Sequence, residues 1–111
     1  IRRLQQDMSR NRMMGAVPEA DVVITNPTHY AIAVKYDGDE MEAPIVVAKG
    51  IREMALRIKE IAKEHDIPTI ENPPLARSLY KVVEVDEEIP SKFYQAIAEV
   101  LAQIFKMRKA N

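Results

Sequence analysis

Hydrophobic and polar residues follow two different spacings along this chain, one typical of strands and one typical of helices. Short runs rich in β-branched residues predict four strands, at Asp21–Thr25, Tyr30–Tyr36, Ile45–Ala48 and Ile67–Ile70. The second run alternates, so that Ile32, Val34 and Tyr36 share one face of the predicted strand. A sheet that buries at least one face is therefore expected.

Four other segments read as helices. Residues 51–64 repeat apolar positions at helical spacing, beginning at Ile51, and carry charge on the opposite face. A similar pattern follows Ser91, which we expect to cap a last helix whose buried stripe ends at Phe105. Residues 1–14 suit a polar helix or linker.

One helix start has a clear local signature. Asn72 precedes Pro73, and this order suits a side-chain cap followed by a proline whose missing N–H is not needed in the first turn. A helix from there to about Val82 is predicted. The strand, helix and strand over residues 45–70 predict a right-handed βαβ unit with parallel strands. The fold class is therefore α/β, a small four-stranded mixed sheet surrounded by about four helices.

Composition narrows the range of functions. With 47% hydrophobic and 30% charged residues, the 111-residue chain has the composition of one folded domain. A net charge of −1 argues against a nucleic-acid binder. The absence of cysteine excludes disulfides and thiolate metal sites, and two histidines without paired carboxylates give no metal site. We expect no cofactor, because three glycines form no phosphate-binding loop.

The candidate chemistry lies between the first two predicted strands, in a connection of about four residues, Asn26, Pro27, Thr28 and His29. Asparagine ordinarily deamidates when the next backbone nitrogen attacks its side chain, but the proline nitrogen carries no hydrogen. The side-chain nitrogen of Asn26 can instead attack its own main-chain carbonyl. That reaction closes a succinimide, expels the Pro27 nitrogen and cuts the chain.

Such a cut needs help with protons and charge. His29 is a candidate proton shuttle near neutral pH, and Thr28 offers a hydroxyl or backbone donor. The alternative is an inert turn, and Asn72-Pro73 demonstrates that Asn-Pro alone carries little information. A multiple-turnover hydrolase built on His29 is a third hypothesis, but it lacks a recognisable nucleophile, base and acid set.

The segments TNPTHYAIAVKYD, APIVVAKG and PPLAR together resemble the FlhB/YscU family of flagellar and type III secretion export proteins. The VVAKG segment is more similar to the flagellar branch. The resemblance implies single-turnover self-cleavage rather than a multiple-turnover enzyme. Asn26 would be the nucleophile, Pro27 the leaving group, and Thr28 and His29 the assisting residues. It also implies a switch of export from rod- and hook-type substrates to filament-type proteins.

The resemblance further implies how the chain is organised and what it binds. Residues 1–18 would be a basic linker helix that continues from a membrane domain, and residues 19–111 a self-cleaving domain at the cytoplasmic face of the bacterial inner membrane. Export substrates, a hook-length control protein and the other export-gate membrane protein are the expected partners. A small apolar patch for export signals would comprise Ala43, Pro44, Ala98 and Leu101. A docking module that does not cleave is the alternative.

Overall fold

The structure, a computed structural model, describes residues 2–109 and the side chains of residues 8–107. It contains four strands and four α-helices. The strands are β1 (Val22–Asn26), β2 (Tyr30–Lys35), β3 (Ile45–Ile51) and β4 (Thr69–Glu71). The helices are α1 (Arg2–Ala16), α2 (Arg52–Glu64), α3 (Pro73–Val82) and α4 (Tyr94–Lys109). The predicted α/β class, with a four-stranded mixed sheet and four helices, is confirmed.

The strands form one sheet in the order β3-β2-β1-β4. The β1–β2 and β2–β3 pairs are antiparallel, and β4 pairs with β1 in parallel. As a result β1 is an inner strand, with hydrogen-bonded neighbours on both sides. The strand that leads into the Asn-Pro-Thr-His segment is thus one of the two inner strands of the sheet, the other being β2.

Each face of the sheet packs against its own helices. One face carries larger aliphatic residues under α3 and α4, the buried sheet residues being Val22, Ile24, Ile32, Val34, Val46 and Ile70. The other face carries mainly small residues under α2, the buried sheet residues being Val23, Ala31, Ala33, Val47 and Ala48. Small side chains on this face let the α2 backbone lie close to the sheet.

The predicted βαβ unit requires a correction. The strands β3 and β4 run in the same direction, but they lie at opposite edges of the sheet with β2 and β1 between them. Helix α2 therefore crosses the whole sheet instead of joining adjacent strands. Sequence order could not predict this, because the hairpins β1–β2 and β2–β3 take the intervening positions by antiparallel pairing.

Three local predictions were wrong. Ser91 does not cap α4, because it is the first residue of a separate 3₁₀ turn, residues 91–93, and α4 begins only at Tyr94. Phe105 is 67% exposed and does not belong to the buried stripe of α4. Ile51 is the last residue of β3, not a buried position of α2, and it is 38% exposed.

The predicted start of α3 is confirmed. The Asn72 side-chain oxygen accepts a hydrogen bond from the Leu75 backbone N–H at 3.3 Å, and Pro73 occupies the first helical position. The Asn72 main-chain oxygen accepts from Ala76 N–H at 2.9 Å, so the carbonyl already belongs to the helix. This cap is worth about 1 kcal/mol.

Helix α1 covers most of the predicted linker, residues 1–18, and a 3₁₀ turn at Val17–Glu19 joins it to the sheet. Residue 1 lies outside the described residues. The buried side chain of Val17 packs with the small-residue face of the sheet, so the end of the predicted linker is tied to the folded core. Among the helices within residues 2–109, none combines the length and apolar character needed to cross a bilayer.

Candidate functional site: the hairpin turn at residues 26–29

Asn26 is the final residue of β1 and stands directly opposite Tyr30, the first residue of β2. The connection is therefore three residues long, not the predicted four, because Asn26 itself pairs within the sheet. Asn26 is half-buried, whereas Pro27, Thr28 and His29 are exposed. Asn26 is thus anchored in the sheet on its N-terminal side and followed by a short exposed turn.

The hydrogen bonds of Asn26 divide its two carbonyl groups between two neighbours. The main-chain oxygen accepts from His29 N–H at 3.0 Å. The side-chain oxygen Oδ1 accepts from Thr28 N–H at 3.3 Å and from Thr28 Oγ1 at 3.1 Å. Both carbonyl oxygens of Asn26 are therefore held by hydrogen-bond donors within the turn.

Three further contacts fix the turn from outside. The His29 carbonyl accepts from Arg52 N–H at 3.0 Å, and the Thr25 carbonyl accepts from Asn72 N–H at 2.9 Å. The Lys59 ammonium lies 3.4 Å from the Pro27 carbonyl oxygen. The turn is consequently tied to the start of α2, to the end of β4 and to the second turn of α2.

The β3–α2 junction explains how Arg52 reaches His29. Arg52 adopts a left-handed backbone with φ of 50°, which costs a non-glycine residue roughly 1–2 kcal/mol. Just before it, a Cβ added to Gly50 would meet Met54 Cβ at 2.6 Å, so only glycine permits this close approach. Strain and close packing at this junction aim a backbone N–H at the turn.

The sequence indicated these four residues as candidates, with only a side-chain role for His29. Its backbone N–H, rather than its ring, is the group that bonds Asn26. The His29 ring is exposed, 6.2 Å from the Tyr30 ring, and among the side chains of residues 8–107 it has no hydrogen-bond partner. A backbone role leaves no sequence signal. The contribution of Arg52 N–H was missed for the same reason, although Gly50 marked the junction.

A second site contains most of the predicted patch. Pro44, Ala98 and Leu101 border one cavity of about 240 Å³. The other residues lining it are Tyr36, Glu42, Tyr94 and Ile97. Ala43, the fourth predicted residue, is only 5% exposed and is not among the lining residues. The patch therefore exists as an apolar hollow with one acidic side chain, Glu42, at its border.

The amino-acid sequence of this chain is similar to those of known proteins. Residues 1–104 match the model of a protein family described as the FlhB HrpN YscU SpaS Family. The chain belongs to this family. Flagellar biosynthetic protein FlhB of Bacillus subtilis is 53% identical over 109 residues, which is 98% of this chain and 30% of that protein. FlhB of Salmonella typhimurium is 51% identical, again over 98% of this chain and over 28% of that protein.

Solved structures of the FlhB family agree with the fold. The cytoplasmic domain of FlhB from Shewanella putrefaciens aligns with a TM-score of 0.87 and 44% identity, covering 91% of this chain and 78% of that one. An EscU C-terminal domain with an Asn-to-Asp substitution aligns with a TM-score of 0.79 and 32% identity, covering 87% and 89%. The family resemblance stated from the sequence, including the flagellar branch, is confirmed. This chain spans less than a third of the curated relatives' length.

Proposed function

We propose that this chain is the self-cleaving domain of a flagellar export protein, and that it cuts itself between Asn26 and Pro27 by cyclisation of Asn26. The observation that carries the proposal is the hydrogen bond from His29 N–H to the Asn26 main-chain oxygen at 3.0 Å. That oxygen is the atom on which negative charge develops during the attack, so a donor already stands where the transition state needs one.

The reaction balances without any co-reactant. Nδ2 of Asn26 attacks the Asn26 carbonyl carbon and loses a proton, and the new Nδ2–C bond closes the five-membered ring. The bond from that carbon to the Pro27 nitrogen then breaks, and this nitrogen takes up a proton. The products are a fragment of residues 1–26 ending in a C-terminal succinimide and a fragment of residues 27–111 beginning with a proline amine.

Each residue of the turn has a defined contribution. The two Thr28 donors on Oδ1 draw electron density from the side-chain amide, which favours loss of the Nδ2 proton. The exposed His29 ring exchanges protons through water, serving the attacking amide first and the departing nitrogen afterwards. Anchoring of both sides of the turn keeps Nδ2 close to its target, and such intramolecular placement lowers barriers by several kcal/mol, up to about 7–11.

Cleavage leaves the fold intact in this proposal. Val22, Val23 and Ile24 of β1 are fully buried between the helices on both faces. Burial of such side chains is worth about 1.5–3 kcal/mol each, and the strand also keeps its hydrogen bonds to β2 and β4. The 1–26 fragment therefore stays in the sheet, and the change is local to the turn. The cut frees the turn to adopt a shape that the unbroken chain forbids.

Membership of the family supports a proposal for the biological role. We propose that the cut switches export from rod- and hook-type substrates to filament-type proteins, at the cytoplasmic face of a membrane reached through a preceding membrane domain. A hook-length control protein and the other export-gate membrane protein are proposed partners. The cavity bordered by Pro44, Ala98 and Leu101 is the proposed site for an apolar export signal. Buried Ala43 precedes Pro44 in the chain and does not line this cavity.

The experiment compares the wild-type chain with the Asn26→Ala variant. Freshly purified protein is denatured and its mass is measured, then measured again after incubation at neutral pH. Two fragments divided between residues 26 and 27 are expected for the wild type, and one unbroken chain for the variant. In cells, a full-length protein carrying Asn26→Ala should fail to export filament-type proteins.

An unbroken wild-type chain that stays unbroken would contradict the proposal. The second candidate function, a docking module in which the turn is inert, would then account for the molecule. Its support is the apolar cavity, which lies on α4 and the β2–β3 connection and does not depend on cleavage.

A further inference from the structure

Tyr30, the residue paired with Asn26 across the hairpin, is in contact with helix α3. Its ring packs against Tyr80 of α3, with ring centroids 5.2 Å apart and planes inclined by 51°. This distance and tilt suit a favourable aromatic pair. The placement of Tyr30, opposite Asn26, thus depends on the position of the Tyr80 ring.

Tyr80 is in turn held by Lys49 of β3. The Lys49 ammonium donates to the Tyr80 main-chain oxygen at 2.8 Å and lies 4.7 Å from the centroid of the Tyr80 ring. Tyr80 is within the last turn of α3, whose carbonyls lack partners inside the helix and carry the negative end of its dipole. One cation therefore satisfies a carbonyl and the face of an aromatic ring together.

Lys49 is unusual for a lysine because its side chain is only 13% exposed. It faces Ile32 in the β2–β3 register, two residues from Tyr30 and so on the same face of the sheet. Glu84, itself 72% exposed, adds a contact at 3.4 Å. The contacts with Tyr80 and Glu84 offset the loss of hydration of the Lys49 ammonium. They therefore hold the ammonium in one position instead of leaving it to move freely in solvent.

We propose that Lys49 and Tyr80 are positioning residues for cleavage at Asn26, an inference that rests on the proposed function. Neither residue touches the reacting atoms. Together they fix Tyr30, and Tyr30 fixes the strand position opposite Asn26. A displacement of about 1 Å in a reacting group can reduce a rate by about 10²-fold. The pair therefore sets the geometry in which Nδ2 meets its carbonyl.

The first test follows newly made protein, since the reaction occurs once per molecule. Labelled chain is produced in a short pulse of cell-free synthesis, and loss of the unbroken chain is timed under conditions where every variant is folded. Lys49→Met and Tyr80→Leu should slow cleavage by about ten- to a hundredfold. Lys49→Arg and Tyr80→Phe keep the cation and the ring, and should stay within about threefold of the wild type. Lys81→Met, at an exposed neighbouring lysine, is the matched control.

The second test does not depend on cleavage. In the Asn26→Ala background, residue 26 keeps its main-chain oxygen, so exchange of the His29 amide hydrogen reports on the turn. Lys49→Met should speed this exchange by about tenfold or more while leaving the amide of buried Ile24 unchanged. Lys81→Met should change neither. This pattern would support a role confined to the turn rather than a general loss of stability.

Several results would overturn the inference. Wild-type cleavage rates in Lys49→Met and Tyr80→Leu would do so, as would equal slowing in Lys81→Met. Parallel acceleration of exchange at His29 and Ile24 would reduce the pair to ordinary core packing. If the wild-type chain is never cut, the proposed function fails first, and exchange at His29 still decides whether Lys49 and Tyr80 hold the turn.

Discussion

The chain contains the dipeptide Asn-Pro twice, at residues 26–27 and 72–73, and the two copies lie side by side. Asn26 is the last residue of β1 and Asn72 follows the last residue of its parallel neighbour β4, and Asn72 N–H donates to the carbonyl of Thr25. Their surroundings nevertheless differ. After Asn26 the chain enters a three-residue exposed turn, whereas after Asn72 it enters a helix at once.

The two copies differ in the hydrogen bond that the asparagine main-chain oxygen accepts and in the burial of the proline that follows. At Asn72 the main-chain oxygen accepts from Ala76 N–H inside α3, and Pro73 is half-buried in the first turn of that helix. At Asn26 the oxygen accepts from His29 N–H, and Pro27 is exposed. Expulsion of Pro73 would break a capped helix, while expulsion of Pro27 breaks only a turn. The same dipeptide is therefore a helix cap at residues 72–73 and the proposed cleavage site at residues 26–27.

The largest expected effect separates the two asparagines directly. Asn26→Ala removes the nucleophile, so no fragments should form on any timescale of the experiment. Asn72→Ala should leave cleavage at residue 26 complete, because the second asparagine only caps α3. Denaturing gels and intact masses of both variants make the comparison. Fragments from Asn26→Ala, or an uncut Asn72→Ala chain that is folded, would contradict the assignment.

His29→Ala should give the next largest effect. The ring is lost as a proton carrier, and general acid–base groups typically contribute about 10²–10⁴-fold. We expect the low end, about 10²-fold slower cleavage, because the exposed ring acts through water and the backbone N–H is retained. His65→Ala, at the exposed end of α2, is the control. An unchanged cleavage rate in His29→Ala would remove the ring from the mechanism.

Thr28→Ala should have a smaller effect on the cleavage rate. It removes the Oγ1 donor to Asn26 Oδ1 but keeps the backbone donor. A loss of about tenfold, equivalent to about 1.4 kcal/mol, is expected. Thr28→Ser keeps the hydroxyl and should cleave at nearly the wild-type rate, so equal losses in the two variants would point to a packing role of the methyl group.

The smallest effect is on stability. In an Asn26→Ala background, which stays unbroken, Asn72→Ala should lower the free energy of unfolding by about 1 kcal/mol through loss of the α3 cap. Urea unfolding of the paired variants measures this difference. A loss near zero would mean that the Asn72 side chain is not needed to stabilise the start of α3.

Local structure was predictable from the sequence where local chemistry decides it. Asn72 and Pro73 start α3 as expected, and alternation in β2 placed Ile32 and Val34 on one buried face. Strand order was not predictable, because β3 and β4 are separated by pairings made elsewhere in the chain. Exposure of Phe105 likewise depends on how far α4 extends past the core, which helical spacing does not reveal.

The sequence indicated the candidate segment, residues 26–29, but not which hydrogen-bond donors hold it. The side chains of Asn26-Pro27-Thr28-His29 suggested the proposed cleavage, whereas the contact that carries this proposal is a backbone N–H of His29. Lys49 and Tyr80 are distant from the turn in sequence and meet only through the sheet and α3. The spacing of apolar residues gave no indication that Lys49 and Tyr80 are in contact, because a contact between a lysine and an aromatic ring has no sequence pattern.

The mass of the 1–26 fragment, captured by acid quenching soon after cleavage begins, tests the central claim most directly. Cyclisation of Asn26 predicts a fragment lighter by one water than the free acid, because the C-terminus is a succinimide, and the missing water should be regained slowly on incubation. A fragment that carries a free C-terminal carboxylate from the earliest time point would contradict the claim, since water rather than the Asn26 side chain would then have cut the bond.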